Sequence, residues 1–307
     1  MSGICAYAEL VNGKLNCLSL QEHLARTAYI AHSLFQRRIE VSHGPLGRLN
    51  RLFETRGPRP ATMILVLAAL LHDVGKASSV YRLHEDKGYA TYPLHEHVSS
   101  HLVGLKIIDM YREGGGVNLE CARGLRLVAA VISRHHSAMH CRHPDELVMG
   151  ACRWGIERLQ NAVSGVSRDR VLEALPSKVR GLVEGLGLAG SGSTHHVDKT
   201  LRLTTSRAIL QSLGHSRGQA SGRGHGVWVL PSVQALSGAL IVSDILVAWR
   251  ERCKNGECKE PDKAYARSWL SELDATSHLD KAMNKPLEEL LDPVVDVLEQ
   301  WRMICGG

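Results

Sequence analysis

Aromatic residues are scarce: the 307-residue chain has two Phe, five Trp and seven Tyr, 5% in all. A binding surface built mainly from stacked bases is therefore not expected. No Cys-x-x-Cys pair occurs among the eight cysteines, which argues against a structural zinc ribbon. Cys253 and Cys258 flank Lys-Asn-Gly-Glu and can close a small loop. They read either as free thiols or as a disulfide of the kind that hyperthermophile cytosols keep. No uninterrupted apolar run reaches the roughly 18 residues of a membrane span. The opening MSGICAYAEL has no basic stretch followed by an apolar one, so no secretory signal is expected. A soluble cytoplasmic protein without membrane contact is the expectation. No internal repeat is evident.

What is present is a large apolar share, 44%, enough for a sizeable core and against wholesale disorder. The length fits one domain over 1–307. Residues 185–226 are rich in Gly and Ser and read as a flexible region around a helical piece near 198–213. Residues from about 260 to 307 read as a helical C-terminal extension. The net charge of +6 is compatible with a polyanionic partner. Histidine stands out, with 17 copies, and neutral imidazole is a common metal ligand.

Helical periodicity dominates. Residues 19–38 form one helix, with Ser19 and Glu22 as a capping box and His23 near its start. Residues 39–60 read as a connection. Residues 61–74, ATMILVLAALLHDV, are apolar nearly all round and predict a buried helix ending at His72-Asp73, with Gly75 as its C-terminal cap. Residues 79–93 read as a loop or short hairpin. Helices follow over 94–112 and 118–136, the second ending in His135-His136, and weaker ones over 145–162 and 168–184. Residues 231–252 are a strongly apolar helix with Asp244 inside it. Two amphipathic helices fill 262–304. The fold class is all-α.

A carboxylate inside ALIVSDILVA is costly to bury unless it is paired or bound to metal; otherwise it faces solvent or links helices. Asp198 is its rival, in a far less apolar segment. His72 is either a helix-end cation or, with Asp73 beside it, part of a site. Adjacent histidines do not share a helix face, but at a helix end both can turn into one cleft. His95 and His97 compete for one role, as do His101, His140 and His143. His95 shares a face with Ser99, and His97 with His101. His195-His196 lie in a segment too mobile to hold fixed coordination geometry. Mixed nitrogen and oxygen donors suit divalent ions such as Mn, Fe, Co or Ni, whereas Mg prefers oxygen. Arg134, Arg142, Arg217 and Arg223 either line a groove for phosphates or are solvated surface charge.

The ordered set His23, His72-Asp73 and Asp244, with HDVGK, resembles the HD-domain phosphohydrolase superfamily, whose signature is H…HD…D. His95 in HEHVS and the pair His135-His136 resemble a narrower group, the CRISPR-associated HD nucleases of type I systems. That resemblance implies an HD-type helical bundle with Gly-rich loop insertions. It implies two divalent metal ions (Mn, Ni, Co, Fe or Mg). His23, His72, Asp73 and Asp244 would hold one, and Asp73, His95, His135 and His136 the other. Lys76 would neutralise the scissile phosphate; its alternative is a solvated helix-end lysine. The substrate would be single-stranded DNA. GKAS at 75–78 lacks the residues of a P-loop. The chain therefore looks like the stand-alone nuclease of archaeal type I-A systems, acting with a separate superfamily 2 helicase and a CRISPR RNA-guided surveillance complex. A nucleotide or cyclic-nucleotide phosphohydrolase would use the same ligand set, and a degenerate scaffold inside a complex is a third reading.

Overall fold

Two short strands precede the first helix, a feature the helical periodicity did not announce. β1 (Cys5–Val11) and β2 (Lys14–Ser19) pair antiparallel, and a disulfide joins Cys5 to Cys17 across them. α1 (Leu20–Glu40) starts where expected, with the Ser19 hydroxyl accepting from the Glu22 amide. The reciprocal half of the capping box is not made: the Glu22 carboxylate reaches forward to Arg26, at 2.6 Å. The computed structural model describes residues 4–11, 14–53, 55–84, 89–113, 118–136, 142–214, 228–252, 268 and 270–306.

Inside the connection over 39–60 lies one short helix, α2 (Gly44–Leu49). α3 (Pro60–Leu71) follows, and all twelve of its residues are buried. Burying each large aliphatic side chain stabilises by about 1.5–3 kcal/mol, so this helix is the centre of the core. It runs into a 3-10 turn, Val74–Ala77, and then a second hairpin of β3 (Arg82–His84) and β4 (Tyr89–Thr91). α4 (His95–Arg112) and α5 (Leu119–Arg134) pack on each other and on the α3 region. Four short helices form the next layer: α6 (Pro144–Val148), α7 (Arg153–Ser164), α8 (Arg168–Ala174) and α9 (Ser177–Gly185).

The Gly/Ser-rich region holds more helix than its composition implied. α10 (Val197–Leu203) and α11 (Ser206–Gly214) are distinct, and Val197, Leu201 and Ile209 are buried. Residues 215–227, with Arg217 and Arg223, lie outside the described residues, as do His140, Cys253 and Cys258. α12 (Val229–Arg252) packs across α1, α3 and α5. The segment 60–77 and α12 are long and apolar enough by composition to cross a membrane; the first is wholly buried inside the protein and the second more than half so.

The C-terminal region forms α13 (Ala275–Asn284), α14 (Leu287–Leu290) and α15 (Asp292–Cys305). α15 is part of the main core, which extends from Ala6 to Trp301. The Trp301 indole is fully buried and donates to the Met63 carbonyl at 3.2 Å. Gly124 leaves room for that ring, since a Cβ there would strike it. A second disulfide, Cys121–Cys305, ties α15 to α5, and Cys152 is disulfide-bonded as well. Apart from the two hairpins, the described residues form an all-α bundle.

Candidate metal centre

Five helices deliver side chains to one place. α1 brings His23, the end of α3 brings His72 and Asp73, the start of α4 brings His95, the end of α5 brings His135 and His136, and α12 brings Asp244. Asp73 lies in the middle. One of its oxygens, Oδ1, is 2.8 Å from His95 Nε2 and 3.8 Å from His135 Nε2. The other, Oδ2, is 3.5 Å from His72 Nε2, 3.7 Å from His23 Nε2 and 2.5 Å from the Lys76 ammonium. Asp244 Oδ1 is 3.1 Å from His23 Nε2 and 3.7 Å from His72 Nε2. The rings of His135 and His136 are 4.1 Å apart between centroids, and His136 is 5.1 Å from His95. Both members of the pair therefore do turn into one cleft at the helix end.

The outer ring nitrogens of the four buried histidines, His23, His72, His95 and His135, are engaged. Nδ1 of His72, His95 and His135 donates to the carbonyl three residues back: Ala69 at 2.8 Å, Tyr92 at 2.7 Å and Ile132 at 2.6 Å. A carbonyl can only accept, so these bonds fix the Nδ1–H tautomer and leave each Nε2 with a lone pair. His23 differs, because its Nδ1 bonds to the Glu251 carboxylate at 3.1 Å.

The inward atoms test whether a cation fits. Nε2 of His23, His72, His95 and His135 and Oδ1 of Asp73 are buried without an aligned hydrogen bond. Two lie close to carboxylate oxygens, His23 Nε2 to Asp244 at 3.1 Å and His95 Nε2 to Asp73 at 2.8 Å. Buried polar atoms are rarely left so. Five of them converging, all good donors to a divalent ion, is what a metal centre requires. The donor atoms form three overlapping triads whose members lie within 4.8 Å: His23, His72, Asp244; His72, Asp73, His135; and His95, His135, His136.

The electrostatics agree. Burial pushes the His135 imidazole well down, helped by His136 and His72, and burial with His95 beside it brings His136 to about 4. Both are neutral at pH 7, the form that binds metal. Burial opposes charge on Asp73 and Asp244, but the cations and imidazoles around them win and hold both well below the usual carboxylate range. His23 runs the other way: burial opposes its charge, yet the Asp244 and Glu251 carboxylates raise it to about 9, so a cation must displace a proton from this ring at pH 7.

Several expectations need correction. Gly75 is not a helix cap: α3 already ends at Leu71, and a Cβ on Gly75 would strike the His95 carbonyl, Val98 and Ser99. Its bare backbone lets α4 come close enough for the Gly75 amide to donate to Ser99 at 2.8 Å and for His95 to reach Asp73. Lys76 is not solvated; it is buried, bonded to Asp73 and to the Ala6 carbonyl. Arg134 faces no groove, being buried and bonded to the Ala130 carbonyl and Ser206. Arg142 does reach the cleft, while pairing with buried Glu96 at 3.1 Å. Asp198 is exposed and paired with Arg202, leaving the site to Asp244. His97 bonds to the Arg142 carbonyl, His101 to Thr200, and His143 caps α6, all away from the centre.

Sequence reasoning missed Glu251, Arg26, Tyr7, Tyr92, Arg158 and Arg252. Tyr7, on β1, donates to Asp244 Oδ1 at 3.1 Å, and the Arg252 guanidinium lies 4.7 Å over its ring. Above the metal centre opens a cavity of about 780 Å³ whose wall includes Tyr7, Lys76, Tyr92, Arg142, Arg158 and Arg252. His95, His136 and Asp244 also line it, so candidate ligands and cations face one cavity, an arrangement suited to a phosphoester. The family described as Cas3, HD domain matches residues 9–244, ending at Asp244. No curated protein and no solved structure matches the chain.

Proposed function

This chain belongs to the Cas3 HD-domain family, and from that premise we propose that it is a manganese-class, single-strand DNA nuclease whose two cations share Asp73. Membership makes the chain a CRISPR-associated HD nuclease and a divalent-metal-dependent hydrolase. The substrate, the number of cations and the residue roles are the reading offered here. The observation that carries it is the convergence of five buried donor atoms without an aligned hydrogen bond, beside a cationic cavity that reaches the centre at His95, His136 and Asp244.

In this reading His23, His72, Asp73 and Asp244 hold one cation, and Asp73, His95, His135 and His136 the other. Such a pair supplies a nucleophile from water at neutral pH and offsets charge on the phosphate. The chain's own groups do the rest. The Nδ1 hydrogen bonds orient the imidazoles. Tyr7 holds the Asp244 carboxylate. Lys76 keeps Asp73 ionised and offers positive charge at the cavity wall. Arg142, Arg158 and Arg252 bind flanking phosphates, which makes strand binding salt-dependent. A phosphate must reach the metal centre, which an unpaired strand does more readily than a base-paired one. Unwinding needs an ATPase, and the partners proposed for this step are a separate helicase and an RNA-guided surveillance complex. The disulfides are compatible with the cytoplasm of a hyperthermophilic archaeon.

The cavity volume favours a second reading, a nucleotide or cyclic-nucleotide phosphohydrolase, because it falls in the range of small-molecule sites. One panel separates the two: labelled single strands, duplexes, dNTPs and cyclic nucleotides, each with manganese. Cleavage of single strands, with duplex spared and Asp73→Asn slower by about 10³-fold or more, is the expected result. Full activity in Asp73→Asn would overturn the metal reading, and turnover confined to nucleotides would install the alternative.

A further inference from the structure

Of the four buried histidines whose Nε2 atoms meet at the centre, three give their outer N–H to a backbone carbonyl. His23, inside α1, does not. Its Nδ1 is met instead by Glu251, a residue 2% exposed on α12. Asp244 and Glu251 are seven apart, two helical turns, and so share a face of α12. His23 and Arg26, three apart, share a face of α1. The two helices therefore stack two pairs. His23 meets Asp244 at the centre, and one level down Arg26 Nη1 meets Glu251 Oε1 at 2.9 Å. Arg26 is held in turn by Glu22, at 2.6 Å.

We propose that Glu251 is a positioning residue that makes the two cation positions unequal, so that the one held by His23, His72 and Asp244 fills first and binds more tightly. This inference rests on the metal reading above and adds an order of occupancy to it. The reasons are geometric and electrostatic. A carboxylate behind an imidazole fixes the ring, fixes the tautomer and raises the basicity of the coordinating nitrogen more than a neutral carbonyl does. The first set also has a carboxylate of its own, Asp244. The second has three imidazoles, two of them backed by carbonyls, with only the shared Asp73 for charge. Arg26 satisfies only the second oxygen of Glu251, the first being held by His23 itself.

Manganese binding to the whole chain, followed by calorimetry with bound ions counted by electron paramagnetic resonance, tests this. The wild type is expected to bind in two steps of different affinity. In Glu251→Gln, which keeps an acceptor for His23 but removes the charge, the tighter step weakens by about 10–100-fold and the weaker step stays within about threefold. Arg26→Gln is the control for a merely structural role: it lowers the melting temperature without that selective loss. Should Glu251→Gln fail to fold, because it takes from Arg26 its buried partner and leaves only Glu22, the double variant Arg26→Gln/Glu251→Gln removes both charges and is expected to show the same selective loss. Unchanged affinity in the Glu251 variants, or equal weakening of both steps, overturns the inference. A wild-type chain that takes up no manganese overturns the metal reading itself, a different and distinguishable result.

Discussion

His101 shows how a histidine outside the metal centre makes this protein sensitive to acid. Its Nδ1 bonds to the Thr200 hydroxyl at 2.7 Å. Burial, and then the charge of His196 nearby, push its pKa from 6.5 to about 4. The folded state therefore binds fewer protons than the unfolded chain between those values. The stability His101 contributes is complete above about pH 6.5 and is lost as pH falls towards 4, on the order of 3 kcal/mol in all. Urea unfolding of the metal-free chain between pH 7.5 and 4.5 should show a steep acid loss that flattens in His101→Asn. An unchanged slope in that variant would show that His101 does not carry the effect. Residue type and helix placement marked out His23, the HD pair, His135-His136 and Asp244, while His95 was set apart from His97 only by the resemblance to HD nucleases. None of these announced Glu251 or Arg26. Charged residues near a helix end read as solvated, and only the i, i+7 spacing from Asp244 carries a signal.

Among the elements, the close approach of α4 to the turn after α3 decides where His95 stands. Three features hold it: the bare Gly75 backbone, the Ser99 acceptor and Leu94, a buried residue held at φ +60° just before α4. That left-handed conformation is strained for a branched side chain, and burial maintains it. Gly75→Ala should force α4 outward, at an overpacking cost of about 1–3 kcal/mol. It should weaken manganese binding at the position that uses His95 while sparing the one that uses His23. Equal affinity at both positions, with an unchanged melting temperature, would sink this account. Helix positions were legible because α1 and α5 keep an apolar period, while α3 and α12 are apolar runs too long for strands. The N-terminal hairpin was not. Its strands are short, and its pairing depends on the Cys5–Cys17 bond and on contacts such as Tyr92 hydroxyl to Cys5 carbonyl, 2.8 Å, across 87 residues. Gly75 was misread because a glycine after a helix reads as a cap unless the neighbour packed on it is known.

For the molecule as a whole, two disulfides brace opposite ends of the same machine, and their effects should separate. Which cysteines pair cannot be deduced from eight positions in a sequence, so neither was foreseen. Cys121–Cys305 closes a span of 184 residues and lies at the start of α5, the end away from His135. Beside it Trp301 locks α15 beneath α3. Cys5–Cys17 closes a span of 12 and holds the hairpin that carries Tyr7 to Asp244 and the Ala6 carbonyl to Lys76. Loop-closure entropy makes the long bridge worth about 5 kcal/mol and the short one about 3. The double variant Cys121→Ser/Cys305→Ser should therefore lose more stability yet keep its manganese affinity at 25 °C, because the ligand ends of α1, α3, α4, α5 and α12 are packed independently of it. Cys5→Ser/Cys17→Ser should lose less stability and more function, since a loosened hairpin frees Asp244 and Lys76 together. Thermal melts and manganese titrations on the two variants read both quantities at once. If metal affinity instead follows stability across the pair, the hairpin is only a staple and the wall of the cavity does not depend on it.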